Sequence, residues 1–349
     1  MQKSKPSIMD LARKLNVSKT TVSFILNGKA KEKRISDSLV ERVKKEALKS
    51  GYEANQFAKG LRTGRTNIIG LMVEDISNPF YGCIAKIIED KVYQNGYRII
   101  YCSTENNKNR GKEFLKMFAT LGVDGCIIAP TMGMEKEIAE MVEKGKQVVL
   151  FDRKFKNRDT DVVMVDNQAG MYAAVEHLVS QGYKHIGLVA LALDKPEKED
   201  RIIGFKQAID DYQLPTYIYP LPFRVRYTDY IEEIRSILSQ NRSLDAIVFG
   251  TNYLGIAGLE AMYTMKLRIP KDIAVISFDD HDLFRIHKPS ISVVAQPIEE
   301  LAQISIDTLL GRLQAAQVKE KEVKLITLST HLIVRESSAR VKFNPARKI

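Results

Sequence analysis

From residue 68 to residue 278 the sequence alternates short, almost continuous apolar runs with segments of helical length, and no other feature constrains the fold as tightly. The runs lie at residues 68–73, 97–101, 125–129, 147–151, 162–165, 186–189, 246–249 and 273–278. Strands buried on both faces are apolar along their whole length, and parallel neighbours need crossover helices between them. The pattern therefore predicts an α/β protein built on doubly wound parallel sheets. Ligands of such sheets bind beyond the carboxyl ends of the strands. Those ends carry Glu74, Asp75 and Asn78 followed by Phe80 and Tyr81, then Asp152 and Arg153, Asp166 and Asn167, Thr251 and Asn252, and Asp279 and Asp280.

At 349 residues the chain exceeds one ordinary domain, and its charge is divided unevenly. Residues 1–65 hold sixteen Lys and Arg against six Asp and Glu, a net of +10 that equals the formal charge of the whole protein. The remainder is neutral. A basic module gains affinity for a polyanion by displacing counterions from phosphates, so this segment reads as a nucleic-acid footprint. It also has helical periodicity. Ser7 and Asp10 suit a capping box ahead of Ile8, Leu11, Ala12 and Leu15. Ser18 suits the N-cap of a second short helix, with Val22, Ile25 and Leu26 on one face, ended by Asn27 and Gly28. Thr20, Ser23, Phe24 and Asn27 point away from that face, with Lys19 on its flank. A third helix reads from Ser36 through Leu39, Val40, Val43, Ala47 and Leu48 to a cap at Gly51. Between the second and third helices, Lys29, Lys31, Lys33 and Arg34 suit phosphate contacts that position a protein without reading sequence.

The strings at residues 8–13 (Ile8, Met9, Asp10, Leu11, Ala12, Arg13) and 17–28 (Val17 and Ser18 through Asn27 and Gly28) closely resemble the headpiece of the lactose and galactose repressor (LacI/GalR) family. Similar patterns continue at residues 51–55 and 61–66, in Asp75 to Phe80, in Val165 to Asn167, in Arg201 to Phe205 and in Ser277 to Asp280, and recur to about residue 338. The resemblance implies a three-helix helix-turn-helix headpiece at residues 1–54 and a hinge helix and linker at 55–66. It then implies a two-lobed periplasmic-binding-protein-like domain at 67–342 for effector binding and dimerisation. Lobe 1 would take about 67–164 and 295–325, and lobe 2 about 165–294 and 326–342. Crossovers between lobes are expected near residues 165–168, 293–296 and 326–329.

The resemblance assigns base reading to Lys19, Thr20 and Phe24, supported by Ser18, Thr21, Ser23 and Asn27. Phe24 departs from the polar residue or arginine often found there, and its ring cannot make a bidentate guanine contact. It can pack on a thymine methyl or against the loop before Ser36; its outward helical angle favours DNA. In the hinge, Asn55, Ala58, Leu61 and Arg62 would meet the minor groove, with Leu61 as the apolar wedge that unstacks a base step. Gly60 and Gly64 lower helix propensity, so this segment would fold only on operator DNA. In the effector domain, Phe80 and Tyr81 would flank the ligand while Asp152, Arg201 and Asp279 hydrogen-bond it. Thr251 stands where an asparagine often binds sugar hydroxyls, and Asn252 where aspartate is usual. Arg201 and Asp279 can serve a polyol or pair with one another. The loop at residues 191–196 lacks the glycine-rich turn usual in the family, and Lys195 and Lys198 read as surface charges.

The expected function is a sequence-specific transcriptional repressor whose affinity for double-stranded operator DNA is set by a small effector, a sugar or sugar derivative. A homodimer is expected, because paired headpieces match a two-fold operator. The tail 337–349 has no leucine heptads for further assembly. No membrane helix, signal peptide, cofactor, metal site or catalytic residue is expected, and the protein should be cytoplasmic. Cys83, Cys102 and Cys126 lie in apolar runs without C-x-x-C spacing and read as buried thiols. Two other readings share the fold. An exported solute-binding protein would not need residues 1–65. An enzyme would need a motif such as a P-loop, G-x-G-x-x-G or G-x-S-x-G, which the sequence lacks, although Asp279 and His281 could do acid-base work.

Overall fold

A computed structural model describes residues 6–52, 65–155, 160–192, 199–315 and 322–340. The chain divides into two compact units, residues 1–67 and 68–349. The hinge residues Asn55, Ala58, Leu61 and Arg62, the loop with Lys195 and Lys198, and the tail 341–349 lie outside the described residues.

The small unit holds the helices Ile8–Leu15, Lys19–Leu26 and Asp37–Ser50. Ser7 and Asp10 form the reciprocal cap: the Ser7 hydroxyl accepts from the Asp10 N–H, and the Asp10 carboxylate accepts from the Ser7 N–H at 2.9 Å. Asn16, in the left-handed region at φ 53°, ends the first helix, and Ser18 starts the second by accepting from the Thr21 N–H at 3.0 Å. Gly51 at φ 67° closes the third, where a side chain would be strained. Leu11, Ala12, Val22, Ile25, Val43 and Ala47 fill the core. Leu48 is a correction to the expected apolar face: it is 89% exposed, because it sits a further 100° around the helix from Ala47.

The large unit contains two six-stranded sheets of described residues, in the orders β11-β5-β4-β3-β1-β2 and β12-β10-β9-β8-β6-β7. The first comprises β1 (Ile68–Val73), β2 (Arg98–Ser103), β3 (Gly125–Ile128), β4 (Gln147–Phe151), β5 (Asp161–Val165) and β11 (Leu325–Leu328). The second comprises β6 (Ile186–Leu191), β7 (Tyr217–Leu221), β8 (Ala246–Phe249), β9 (Ala274–Phe278), β10 (Ser292–Ala295) and β12 (His331–Ile333). All pairs are parallel except β10 with β12. The two orders match strand for strand, β4 with β9 and β1 with β6, so the lobes repeat one topology. Each sheet is buried on both faces, which accounts for its unbroken apolar runs.

The chain passes between lobes after β5, between β10 and the helix Ile298–Gln314, and between β11 and β12. Residues 326–328 belong to the first lobe, not the second: they pair with β5, and Ile326 and Leu328 pack on that lobe's core. Cys102 and Cys126 are buried, but Cys83 is exposed on the helix Pro79–Gln94. Its apolar neighbours Ile84 and Ala85 occupy the buried side of that helix. No helix among the described residues is long and apolar enough to cross a membrane.

The helices Asn167–Ser180 and Asp200–Asp211 approach closely at Gly204. A Cβ there would lie 2.2 Å from the backbone oxygen of Gln168. Backbone cannot step aside as a side chain can, so Gly204→Ala should force the helices apart and destabilise the large unit by about 2–3 kcal/mol. Urea unfolding followed by circular dichroism measures this, and an unchanged midpoint would show that the helices yield freely.

Candidate functional site

The strand ends of the two lobes converge on one chamber of about 80 Å³. The first lobe contributes Glu74, Asn78, Phe80, Tyr81, Asp152 and Arg153, and the second contributes Asn167, Glu199, Arg201, Thr251, Tyr253 and Asp279. Gln296, on a crossover, completes the wall. Two larger cavities of about 420 and 510 Å³ adjoin it and share Glu74, Asn78 and Tyr253, or Asp152, Arg153 and Glu199, with the chamber.

The matching strands β4 and β9 end in the same dipeptide, Phe151 with Asp152 and Phe278 with Asp279. Both aspartates take left-handed backbone, at φ 65° and 66°. Asp tolerates this region better than most residues, and here it ends each strand with a carboxylate that lines the chamber. The Tyr81 hydroxyl donates to Asp152 Oδ2 at 2.7 Å. Burial, then the Asp152 charge, pushes the Tyr81 phenol well above its ordinary range, so it remains a donor. Arg153 ion-pairs with Glu74 and donates to Asn106 Oδ1 at 2.6 Å.

On the other side, Arg201 Nε donates to Asn167 Oδ1 at 2.8 Å, and its NH1 donates to the Gly250 carbonyl at 2.5 Å. Its guanidinium stacks 3.8 Å from the centre of the Phe278 ring. Arg201 NH1 and Asp279 Oδ2 are 3.8 Å apart, too far for a hydrogen bond, so ion pairing leaves both groups with capacity for a ligand. Asp279 accepts from Gln296 Nε2 at 2.5 Å. Burial raises the Asp279 carboxyl above its ordinary range, opposed by Arg201. Glu199 is also raised by burial and caps the helix Asp200–Asp211 by accepting from the Ile202 N–H. The arrangement offers carboxylate acceptors and amide and guanidinium donors from opposite lobes, with Phe80 and Tyr81 beside them.

Of the effector residues expected from sequence, Phe80, Tyr81, Asp152, Arg201, Thr251 and Asp279 line the chamber. Asn252 lines the adjoining 420 Å³ cavity instead, and its amide is engaged with Asn78. Glu74, Asn78, Arg153 and Asn167 stand at strand ends in the sequence, a position that gives them no specific role by itself. Glu199, Tyr253 and Gln296 were missed; no local pattern distinguishes them.

In the headpiece, Lys19 and Thr20 are exposed at the start of the second helix. Ser18 and Thr21 are engaged with each other in the cap, their hydroxyls 2.8 Å apart. The Asn27 amide donates to the Ser23 carbonyl at 2.7 Å and the Ser23 hydroxyl at 3.2 Å. The Phe24 ring is half-buried, with Lys33 Nζ, from the loop before Ser36, 5.5 Å from its centre. One face of Phe24 is thus occupied by the loop.

A helix-turn-helix unit and a two-lobed α/β chamber in one chain define a ligand-responsive DNA-binding regulator. Residues 7–55 match the bacterial regulatory proteins of the lacI family, and residues 175–338 match a periplasmic binding protein-like domain. The chain is 27% identical over 332 residues to the ribose operon repressor of Halalkalibacterium halodurans, covering 95% of this chain and 97% of that one. It is 30% identical to a LacI family transcriptional regulator from Enterococcus faecium solved with bound ribose, at a TM-score of 0.69, covering 79% of this chain and all of that one. The Lac repressor dimer bound to operator shares the fold at a TM-score of 0.80 over 97% of this chain, with 20% identity. The chain belongs to the LacI family of transcriptional regulators.

Proposed function

We propose that this protein is a homodimeric repressor whose operator affinity is set by a sugar or sugar derivative held between the two lobes, without catalysis. In this reading residues 1–54 read the operator, 55–66 form the hinge and 67–342 bind effector and dimerise. Lys19, Thr20 and Phe24 contact bases, and Leu61 enters the minor groove. The carrying observation is the pairing of Asp152 and Asp279 from equivalent strand ends of opposite lobes, with Arg201 beside them. A polyol suits this set because each hydroxyl can donate to a carboxylate and accept from a guanidinium or amide. The ribose bound to the Enterococcus faecium relative supports the ligand class.

Thermal denaturation of the full-length protein against a panel of pentoses, hexoses, disaccharides and nucleobases tests the proposal. A ligand at a hundred times its dissociation constant should stabilise the protein by about 2.7 kcal/mol. A shift with a sugar is the expected result. A shift with nucleobases alone, or with no member of the panel, would contradict the proposed effector class.

A further inference from the structure

Asn252 and Tyr253 open the helix Asn252–Thr264 of the second lobe, and both reach across to the first. Asn252 Nδ2 donates to Asn78 Oδ1 at 2.9 Å, and the Tyr253 hydroxyl donates to Glu74 Oε1 at 3.4 Å. Asn252 and Glu74 are 2% and 4% exposed, so neither has water as an easy alternative partner. Asn78 is constrained in what it can offer. Its Oδ1 also accepts from the Phe80 N–H at 3.1 Å, capping the helix Pro79–Gln94, and this fixes which end of the amide faces both donors. The group presented by residue 252 must therefore donate. An amide does so; a carboxylate of the same shape would set one acceptor against another.

We infer that Asn252 is a positioning residue that straps the lobes together, and that with Tyr253 it favours the arrangement in which the chamber is enclosed. Asp152 and Asp279 belong to different lobes, so they face one ligand together only when the lobes are held close. A strap that raises the enclosed fraction raises apparent effector affinity by the same factor without touching the effector. This role goes beyond the proposed function, and its test needs no effector, so the two readings can fail separately.

Hydrogen exchange of the empty full-length protein, compared among wild type, Asn252→Asp, Asn78→Ala and the double variant, is the experiment. Asn252→Asp should raise exchange at least threefold across the cleft, at residues 76–82. Asn78→Ala should do the same at residues 252–256. Asn78→Ala also removes a helix cap, so only its effect on the opposite lobe counts. The double variant should exchange no faster than the more affected single one, because both substitutions remove the same bond. A rise below threefold in the opposite lobe for both single variants, or effects that add in the double variant, would overturn the strap. Loss confined to the substituted lobe would show that each residue stabilises only its own helix.

Discussion

Removing residues 1–65 is expected to abolish specific operator binding and to leave a folded, effector-binding core. The segment carries a net charge of +10, equal to that of the entire chain, so the truncated protein loses its electrostatic attraction for phosphates as well as its reading helix. The core should survive because residues 68–349 form a compact unit with their own two sheets and buried clusters. Electrophoretic mobility shift with the DNA upstream of the protein's own gene measures the loss. Urea unfolding of the truncated chain checks that its cooperative transition remains. Specific shifting by residues 66–349 would show that the DNA-reading surface lies elsewhere.

Arg201→Ala and Asp279→Ala are each expected to weaken effector binding at least tenfold, about 1.4 kcal/mol. Arg201→Ala takes away a guanidinium oriented by Asn167, Gly250 and Phe278 and leaves Asp279 with one partner fewer. Asp279→Ala orphans the Gln296 amide and one side of Arg201. Removing one partner of a buried charged pair can also destabilise the fold, so Asp279→Asn provides a gentler companion that keeps the shape of the side chain. Titration calorimetry with the sugar identified by thermal denaturation reads the change in affinity. Unchanged affinity in both alanine variants would show that the two residues only support the walls. Operator binding without effector should persist. In an inducible system the variants stay on DNA; in a corepressor system they fail to bind under repressing conditions.

The parallel sheets were legible because buried strands leave unbroken apolar runs. β7 was not. It is an edge strand with Pro220 inside it, partly exposed, and proline marks an edge strand more readily than a central one. β10, β11 and β12 were not legible either: they are only four, four and three residues long and complete sheets begun far earlier in the chain, so no local pattern marks them. In the site, the rule that ligands meet strand ends located Asp152 and Asp279. It could not show that Arg153 pairs with Glu74, 79 residues away, or that Gln296 turns toward Asp279. The family pattern placed Asn252 on the ligand, whereas its amide is engaged with Asn78, which depends on how near the lobes stand. Phe24 shows a limit of helical angle: the ring faces outward from its own helix, yet the following loop folds Lys33 over it.

Occupancy of the chamber is expected to set operator affinity. A ligand does this only by binding the DNA-competent and incompetent arrangements with different affinity. The most direct measurement is operator affinity by fluorescence anisotropy, with and without saturating effector, for the wild type and Asp279→Ala. Saturating effector should change wild-type operator affinity by about 5- to 150-fold, and the effector concentration that produces half of this change should rise at least tenfold in Asp279→Ala. Equal operator affinity of the wild type with and without bound effector would show that the chamber does not govern DNA binding.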